Sequence, residues 1–501
     1  AICLSMAVLI GYQMLFGKKP ENQVVKNTDN SKIEVKNNEP SIDLPKEKNE
    51  EIFVEKKPKI KKNVPRIKIL NNELIGSLSL MGARIDDLTL VNYRKTLDPE
   101  SEQIRFLKKV NHENPFFVQF GWSTPDEIEV PNGNTVWESS NKILTPTKDV
   151  TITWENKKGL KFFQKISIDE NFVIKVEQTV LNQSGNSIRL YPYGLIRRTG
   201  EPATTDFFVL HEGPLGVFDG SLTEKSYSDL KESGQKGISH KAEKSGGWIG
   251  ITDKYWMAAL IPDQSTKSKF TYRYINNSGS YQTDFLGDLI VVPPRSKKII
   301  TSRVFSGAKK LNLLDQYEND LNIEHFDLAI DFGWFYFLTK PFFYALSWAN
   351  NFLGNFGLAI LLITVIVKLV FFPLANKSYK SMARMRLLTP QLQQLRERFG
   401  NDRQKMNQEM MLLYKREKVN PAAGCLPILV QIPVFFALYK VLFVSIEMRQ
   451  APFFGWIKDL SVSDPTSIFN LFGLLPYNTS FLPEFLNLGV WPLLMGATMV
   501  L

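Results

Sequence analysis

Cysteine and histidine are scarce in this chain, which has two cysteines and four histidines among 501 residues. Cys3 and Cys425 lie in or beside apolar runs, so the region between them cannot be held by a disulfide framework. An oxidising compartment is not excluded, because a large domain buries enough core to fold without disulfides. The histidines lack ligand spacing to cysteine or acidic residues, and we therefore expect no metal site.

Motifs for covalent or nucleotide chemistry are also missing. The sequence has no G-x-x-x-x-G-K-[ST] loop, so any use of ATP or GTP would belong to partner proteins. No pair of carboxylates stands out as a general acid and base. Inverted repeats and broken helices, which a secondary transporter would need, are not visible. We expect no enzyme and no cofactor.

Long apolar runs are present, although 22% of the residues are charged. This combination is typical of a large soluble part joined to a few membrane spans. The first run precedes the charged GKKP without a small-residue cleavage site, which favours an uncleaved anchor. Because the chain starts with alanine and both ends lie in apolar runs, we expect a fragment of a longer protein. The four runs are residues 2–16, 357–374, 426–446 and 485–501.

The charge distribution predicts a topology. Residues 375–420 contain eleven Lys or Arg against four Asp or Glu, so the positive-inside rule places this loop in the cytoplasm. Residues 448–484 contain only Arg449 and Lys458 as basic residues, which agrees with an external loop. The second run then crosses from outside to inside, which places the large soluble region before it outside and the N-terminus inside. Positive charge in the basic loop would alternatively serve to bind nucleic acid, anionic lipid or another partner.

Residues 64–309 show short alternating runs separated by turn residues, which predicts one large antiparallel β-sandwich domain. Residues 17–63 before it are too poor in apolar side chains to order themselves and would form a tether. The alternation is clearest where Phe172, Ile174 and Val176 face one way and Lys175, Glu177 and Thr179 the other.

Four tryptophans in this domain leave two functions open. Large β-sandwiches often bind sugars, and the indole rings could line a cleft. Core or cross-strand packing is the stronger interpretation for tryptophans in strands. The four are Trp122, Trp137, Trp154 and Trp248.

Helical patterns follow the β domain. Residues 311–321 predict a helix, and nine of the seventeen residues 332–348 are aromatic, which is typical of a helix in the outer headgroup layer. A short core helix under the β domain is the alternative. In the basic loop, apolar residues at intervals of three and four predict an antiparallel helical hairpin whose second helix starts at Asp402 after a Gly400 cap. Its apolar seam consists of Met385, Leu388, Leu392, Leu395, Phe399, Met406, Met410 and Leu413.

Lys368 lies inside the second apolar run, where a lysine costs roughly 2.5 to 3.5 kcal/mol at the centre of a span. It either snorkels to a nearby surface or faces a wet cavity lined by protein, and the residue pattern alone does not decide between the two. Lys440, near the outer end of the third run, is expected to snorkel.

Several motifs carry a family resemblance. NFGLAILLITVIVKLVFFPL, SYKSMARMRLLTPQLQQLRERFGND, QEMMLLYKREKVNPAAGCLPILVQIPVFFALY and EMRQAPFFGWIKDLSVSDP resemble the YidC/Oxa/Alb family of membrane protein insertases, in the Gram-negative form with a large periplasmic domain. The match is close over about the last third of the chain. It implies a multi-span α-helical core plus an all-β periplasmic supersandwich, in the bacterial inner membrane.

The resemblance also implies a site. The family has a hydrophilic groove with a basic residue that falls on Lys368; the usual residue there is arginine, and lysine keeps the charge but loses bidentate hydrogen bonding. Thr364 and Gln431 are further groove candidates, and the fifth span is absent from this chain. Candidates for a lipid-side path along which a client slides are Phe435, Phe436 and Tyr439.

The implied function is insertion and folding of nascent membrane proteins, alone or with the Sec translocon. Ribosome, signal-recognition receptor and membrane lipids are further expected partners, and DNA is not. A membrane-anchored periplasmic carbohydrate-binding protein or enzyme is the alternative. The expected order is anchor 1–16, tether 17–63, β domain 64–309, linker and interfacial helices 310–350, second span 351–374, hairpin 375–420, third span 421–447, periplasmic loop 448–484 and fourth span 485–501.

Overall fold

A computed structural model describes residues 64–202, 204, 210–399, 402–417, 419–420, 426–462, 466–473, 475 and 489–500. The expected anchor, tether and Gly400 cap lie outside these residues. Within them, a region of strands comes first and a region of helices follows. The expected large all-β domain with a helical region after it is confirmed.

Two sheets form the β domain. In the described residues one sheet has eleven strands and runs β14-β17-β18-β11-β5-β3-β2-β1-β7, with β4 on β3 and β19 on β11; the other has nine and runs β13-β12-β15-β16-β20-β10-β9-β8-β6. Nearly all pairings are antiparallel; β1 and β7 are parallel. The strands are β1 Arg66–Leu70, β2 Leu74–Ser79, β3 Arg84–Arg94, β4 Gln103–Leu107, β5 Phe116–Ser123, β6 Glu138–Ser139, β7 Ile143–Leu144, β8 Val150–Asn156, β9 Leu160–Ile168, β10 Val173–Asn182, β11 Ile188–Thr199, β12 Gly213–Phe218, β13 Ser221–Glu224, β14 Ile238–Lys241, β15 Trp248–Thr252, β16 Trp256–Ile261, β17 Ser268–Ile275, β18 Ser280–Gly287, β19 Ile290–Val292 and β20 Ser296–Ala308.

The two sheets pack face to face around an apolar core. On β10, Ile174 and Val176 are buried while Lys175 and Glu177 are not, which is the alternation a half-buried strand requires. Buried amides join the layers, since Gln164 Nε2 donates to the Phe120 carbonyl at 3.2 Å from one sheet to the other. A buried amide needs such a partner, so this bond also fixes how the sheets face each other.

Eight helices are described: α1 Tyr227–Ser233, α2 Leu311–Leu321, α3 Tyr336–Leu353, α4 Phe356–Leu387, α5 Thr389–Phe399, α6 Arg403–Arg416, α7 Leu426–Val444 and α8 Val490–Val500. Helix α2 covers the range that the sequence pattern predicts. It is anchored by Tyr317, whose hydroxyl donates to Asp169 and accepts from the Phe172 backbone N–H at 3.3 Å. Burial raises the pKa of Tyr317. Because its hydrogen bonds hold α2 against the β domain, the chain leaves the sandwich along a helix that is fixed to it.

The aromatic helix α3 joins the β domain to the long apolar helices. One face, formed by Thr339, Phe343, Leu346 and Ala349, is buried where α3 packs against α4 and α7. The opposite face exposes large aromatic rings. They are Trp334 just before the helix, and Phe337, Trp348 and Phe352 within it. A core helix would bury these rings, so their exposure favours the headgroup-layer interpretation.

Helix α4 extends to Leu387, beyond the apolar run that ends at Leu374, and Pro373 lies inside it. Asn355 caps its start by accepting from the Leu358 N–H at 3.1 Å. After Leu388, the shorter helices α5 and α6 pack against each other, and Asp402 caps α6 by accepting from the Lys405 N–H at 3.0 Å. The chain therefore continues as a helix well past its apolar segment before it turns into the hairpin.

Candidate functional site

Two helices in the described part of the chain, α4 and α7, are long and apolar enough to cross a membrane. They touch each other, and α3 packs on both. Few of their side chains are buried within the protein, as expected for helices whose solvent is lipid rather than water. The described part of the fourth expected span, α8, has only eleven residues.

Lys368 is the one charged residue between Phe356 and Leu374, and its side chain is exposed. Its neighbours Leu369 and Val370 are also exposed and apolar. Among the described residues, Lys368 has no ion pair and no hydrogen bond. The ammonium is therefore available to a group from outside the folded chain.

Thr364 and Gln431, the other expected groove residues, are both half-buried. The Thr364 hydroxyl donates to the Ile360 carbonyl at 2.7 Å, so its hydrogen atom is used within its own helix. No hydrogen bond joins Thr364, Gln431 and Lys368 within the described chain. The structure places these residues on two touching helices and does not join them into one network.

The expected client-path residues form part of an aromatic ladder on α7. Phe435 is 63% exposed and stacks on Tyr439, with ring centroids 6.4 Å apart and an interplanar angle of 16°. Tyr439 stacks in turn on Phe443 at 5.9 Å and 15°. Phe436 lies beside the ladder, 6.0 Å from Phe435. Phe443 was not among the residues predicted for this path, although its spacing of four from Tyr439 places it on the same face of the helix.

Lys440 is the only charged residue of α7, and the expectation that it snorkels is wrong. It is 5% exposed, and its Nζ lies 2.7 Å from Asp331 Oδ2. Asp331 lies between α2 and α3, more than a hundred residues earlier in the chain. The ion pair replaces snorkelling because the fold places the Asp331 carboxylate beside the Lys440 ammonium, which then does not need to extend to water.

A second lysine fixes α3. Lys340 Nζ lies 2.7 Å from Asp327 Oδ2 and 3.2 Å from Asp315 Oδ1, and Tyr336 donates to Asp327 at 2.6 Å. Burial alone would lower the pKa of Lys340, but these bonds to Asp327, Tyr336 and Asp315 outweigh it and raise that pKa. The segment between α2 and α3 thus binds one lysine of α3 and one of α7.

In the described residues, one group of three side chains lies close enough together to hold a metal ion, although their spacing in the sequence does not indicate a metal site. Ligand atoms of Glu318, His325 and Asp327 lie within 4.8 Å of one another. The Asp327 carboxylate already binds Lys340, whose charge repels a cation. The geometry serves an ion pair better than a metal ion.

The hairpin seam is visible in the burial of α5 and α6. Leu388 and Leu413 are buried, and the other predicted seam residues, Met385, Leu392, Leu395, Phe399, Met406 and Met410, are half-buried. On the outside, Met411 is 61% and Leu412 57% exposed. The tryptophans, by contrast, form no open cleft: Trp122, Trp137 and Trp248 are buried, and Trp154 packs on the core.

Comparisons with known proteins cover both regions. Residues 66–345 match the family model of the YidC periplasmic domain, and residues 348–501 match that of the 60Kd inner membrane protein. The membrane protein insertase YidC of Rickettsia prowazekii (strain Madrid E) is 45% identical over 504 residues, covering 100% of this chain and 88% of the relative. That of Rickettsia bellii (strain OSU 85-389) is 46% identical over 507 residues, with the same coverage.

Solved structures are more distant. An active YidC insertase with its first transmembrane domain resolved is 17% identical, covers 81% of this chain and 80% of that chain, and superposes with a TM-score of 0.30. A galactose mutarotase related enzyme from Lactobacillus acidophilus is 9% identical over 48% of this chain and 97% of that chain, with a TM-score of 0.34. At such TM-scores neither superposition carries an inference about function.

Proposed function

Because this chain belongs to the YidC family of membrane protein insertases, we propose that Lys368 is the charged centre of the site through which it inserts its clients. The relatives that match this chain over its full length are membrane protein insertases, so it is an inner-membrane protein that acts on nascent membrane proteins. The relatives' name describes a role without covalent chemistry. The mechanism must therefore come from binding and transfer.

One observation carries the proposal: an exposed lysine without a partner in the described chain lies on an apolar helix. Such a charge is costly in lipid and is normally placed against water or a counter-charge. To snorkel, Lys368 would have to bridge the six residues to the end of the apolar run at Leu374, roughly 9 Å of helix, and a lysine side chain covers only part of that distance. A wet cavity beside α4 explains the exposure and the absence of a partner together.

In this mechanism, a hydrophilic and often acidic segment of the client enters the cavity, where Lys368 offsets its charge. The half-buried Thr364 and Gln431 add polar surface nearby. The apolar segment of the client moves along the lipid side of α7, over Phe435, Phe436 and Tyr439. Transfer of that segment into the bilayer provides the driving force for release.

The proposed topology places the β domain in the periplasm and the hairpin in the cytoplasm. The excess of Lys and Arg in residues 375–420 supports it through the positive-inside rule. The exposed aromatic face of α3 then lies in the outer headgroup layer, against membrane lipids. The two spans α4 and α7 and the apolar run at residues 485–501 are proposed to belong to the multi-span core, which the anchor precedes in the sequence.

The hairpin is the proposed docking site for cytoplasmic partners. Its basic surface suits the ribosome, whose RNA is negatively charged, and the exposed Met411 and Leu412 offer an adaptable apolar contact. The signal-recognition receptor is a further proposed partner on this side. The Sec translocon is proposed as a partner within the membrane.

The proposal is tested with the full chain in lipid vesicles and two small clients that differ only in an acidic or a neutral translocated tail. Lys368→Glu should slow insertion of the acidic client about tenfold or more and leave the neutral one nearly unchanged, because a like charge then meets the tail. Lys377→Glu makes the same charge change on the same helix outside the apolar run, and is the matched control.

The two clients decide between the interpretations of Lys368. Equal insertion of the acidic client by the parent chain and by Lys368→Glu would mean that the lysine only snorkels. Equal impairment of both clients would point to misfolding rather than to charge recognition.

A further inference from the structure

The outer end of α7 is attached to the segment between α2 and α3 by a buried ion pair. Asp331 uses both carboxylate oxygens: Oδ2 accepts from Lys440 Nζ at 2.7 Å and from the His211 N–H at 2.9 Å, and Oδ1 accepts from the Gly333 N–H at 3.0 Å. Three donors from separate parts of the chain hold one carboxylate. The two backbone N–H groups of His211 and Gly333 thus hold the carboxylate independently of Lys440.

The lysine stem is fitted as closely as its charge. Gly333 has a φ of +68°, a conformation that favours glycine, and a Cβ built there would lie 3.5 Å from Lys440 Cε. The aliphatic part of Lys440 thus lies against a turn with no side chain in the way. This arrangement requires the helix to keep its rotation about its own axis as well as its height.

The chain that leaves α7 is held by the β domain as well. Gln450 Nε2 donates to the carbonyls of Arg94 and Thr96 at 3.1 and 3.0 Å, and the Arg449 guanidinium also donates to the Arg94 carbonyl. The Arg449 guanidinium carbon lies 5.4 Å from the centre of the Trp256 ring. The attachment at Lys440 is thus one of two on the same end of the helix.

Among the residues that the structure describes, no comparable polar attachment holds the other end of α7. From Leu426 to Phe436 the helix has no charged side chain, and Leu426, Ile428 and Leu429 are exposed. Apolar packing allows a helix to rotate and slide more readily than hydrogen bonds and ion pairs do, so the polar attachments at the outer end add the directional constraint. The buried charge is therefore placed where it controls the direction of the whole helix.

Burying a single lysine in an apolar helix is unfavourable unless it is paired, and a well-packed apolar side chain would often be as stable. What the pair adds is a unique geometry. We propose that Asp331 and Lys440 are positioning residues of the insertase: they fix the outer end of α7, so that its aromatic ladder and Gln431 keep their place relative to α4, the helix that carries Lys368. This inference rests on the proposed function of Lys368.

The experiment uses the full chain in vesicles with the acidic and neutral clients described above. Lys440→Met should slow insertion of both clients about tenfold, while the conservative Lys440→Arg should stay within about twofold of the parent. The double variant Asp331→Asn with Lys440→Met should insert faster than either single variant, because each single variant leaves one charge of the pair without its partner and the double variant removes both charges. Lys458→Met, in the exposed loop after α7, is the matched control.

A spectroscopic measurement separates positioning from general stability. Spin labels at Lys298 on β20 and Leu429 on α7, both exposed, are introduced after both native cysteines are replaced by serine. The distance distribution between the labels should broaden in Lys440→Met and remain as in the parent in Lys440→Arg. Insertion at the parental rate by a folded Lys440→Met chain, or an unchanged distance distribution with slowed insertion, would overturn the inference.

The failure of the proposed function gives a different pattern. If Lys368→Glu does not discriminate the two clients while Lys440→Met slows both and broadens the distribution, the charge role of Lys368 fails and the positioning role stands. If Lys368→Glu discriminates them and Lys440→Met inserts both normally, the positioning role fails alone.

Discussion

Lys254 Nζ lies 3.9 Å from the centre of the Phe443 ring, so a lysine of the β15–β16 connection covers the last rung of the aromatic ladder on α7. The backbone N–H of Lys254 donates to Glu212 Oε1 at 3.1 Å, which fixes the connection itself. A cation over an aromatic face is attractive even without a salt bridge. The ladder that the client is proposed to follow therefore ends against the β domain.

Lys254→Met should lower the stability of this contact by about 1 kcal/mol, because it removes the charge and keeps an aliphatic side chain of similar length. The measurement is thermal unfolding of the full chain in detergent, compared with Lys254→Arg, which keeps the cation. Lys244→Met, at an exposed position of the same domain, serves as the control. A similar loss of stability in Lys254→Arg would contradict the cation–π contribution.

Lys368→Arg should insert the acidic client at least as fast as the parent. If charge alone is required, the two side chains are equivalent; if bidentate hydrogen bonding to a client carboxylate contributes, arginine is faster. Initial insertion rates with the acidic and the neutral client distinguish the cases. A marked loss with arginine would show that the site depends on the compact ammonium rather than on positive charge.

Lys309 gives the stability of the chain a pH dependence. Burial lowers the pKa of Lys309 from 10.5 to about 8, and the nearby carboxylates of Asp253, Asp331 and Glu212 offset only part of this. Between these two pH values the unfolded chain binds a proton that the folded chain has released, so the free energy of unfolding rises with pH. Below pH 8, both states are protonated and the unfavourable contribution is complete.

In Lys309→Met this rise should disappear, a difference of at most about 3 kcal/mol between the two ends of the window. The measurement is the melting temperature of both chains in detergent from about pH 7 to about pH 10. Lys298→Met removes an exposed lysine from the preceding strand β20 and should keep the parental pH dependence. Identical slopes for Lys309→Met and the parent would show that Lys309 does not titrate in this range.

Leu412 and Leu413 are adjacent on α6 but differ in burial, which provides a matched pair for the hairpin. Leu413 is 5% exposed and Leu412 57%. Leu413→Ala should destabilise the hairpin by about 2 kcal/mol or more through the lost contacts of the seam, and Leu412→Ala should have little effect on it. Hydrogen exchange of the α5 and α6 amides in the full chain measures the difference. Equal exchange in the two variants would mean that the seam does not hold the hairpin together.

Local patterns in the sequence were sufficient for several elements. The alternation of Ile174 and Val176 with Lys175 and Glu177 predicted β10, because a half-buried strand has a period of two. The spacing of Leu392, Leu395 and Phe399 predicted the seam of α5, because residues three and four apart share one face of a helix. Asp402 predicted the start of α6 through its capping chemistry.

Long-range relationships could not be predicted in this way. The partner of Lys440 is Asp331, and nothing local to α7 indicates a carboxylate so far away in sequence. The strand order within each sheet and the group of Glu318, His325 and Asp327 depend on the same kind of distant contact. Helix α4 extends beyond its apolar run. The residues after Leu374 need only sufficient helix propensity to continue the helix, whereas the apolar run indicates which part of it contacts lipid.

The length of α4 has a mechanical consequence. Its 32 residues measure about 48 Å, while the hydrocarbon core of a bilayer is about 30 Å thick, so in the proposed topology several turns stand in the cytoplasm. Pro373 lies near the point where the helix would leave the membrane, and a proline weakens the backbone hydrogen bonding there. The hairpin then lies at the end of a helical arm of about 21 Å, and a tilt of about 10° at Pro373 moves its base by roughly 4 Å. In the proposed topology, a contact of the hairpin with a cytoplasmic partner would therefore change the angle of the helix five residues from Lys368.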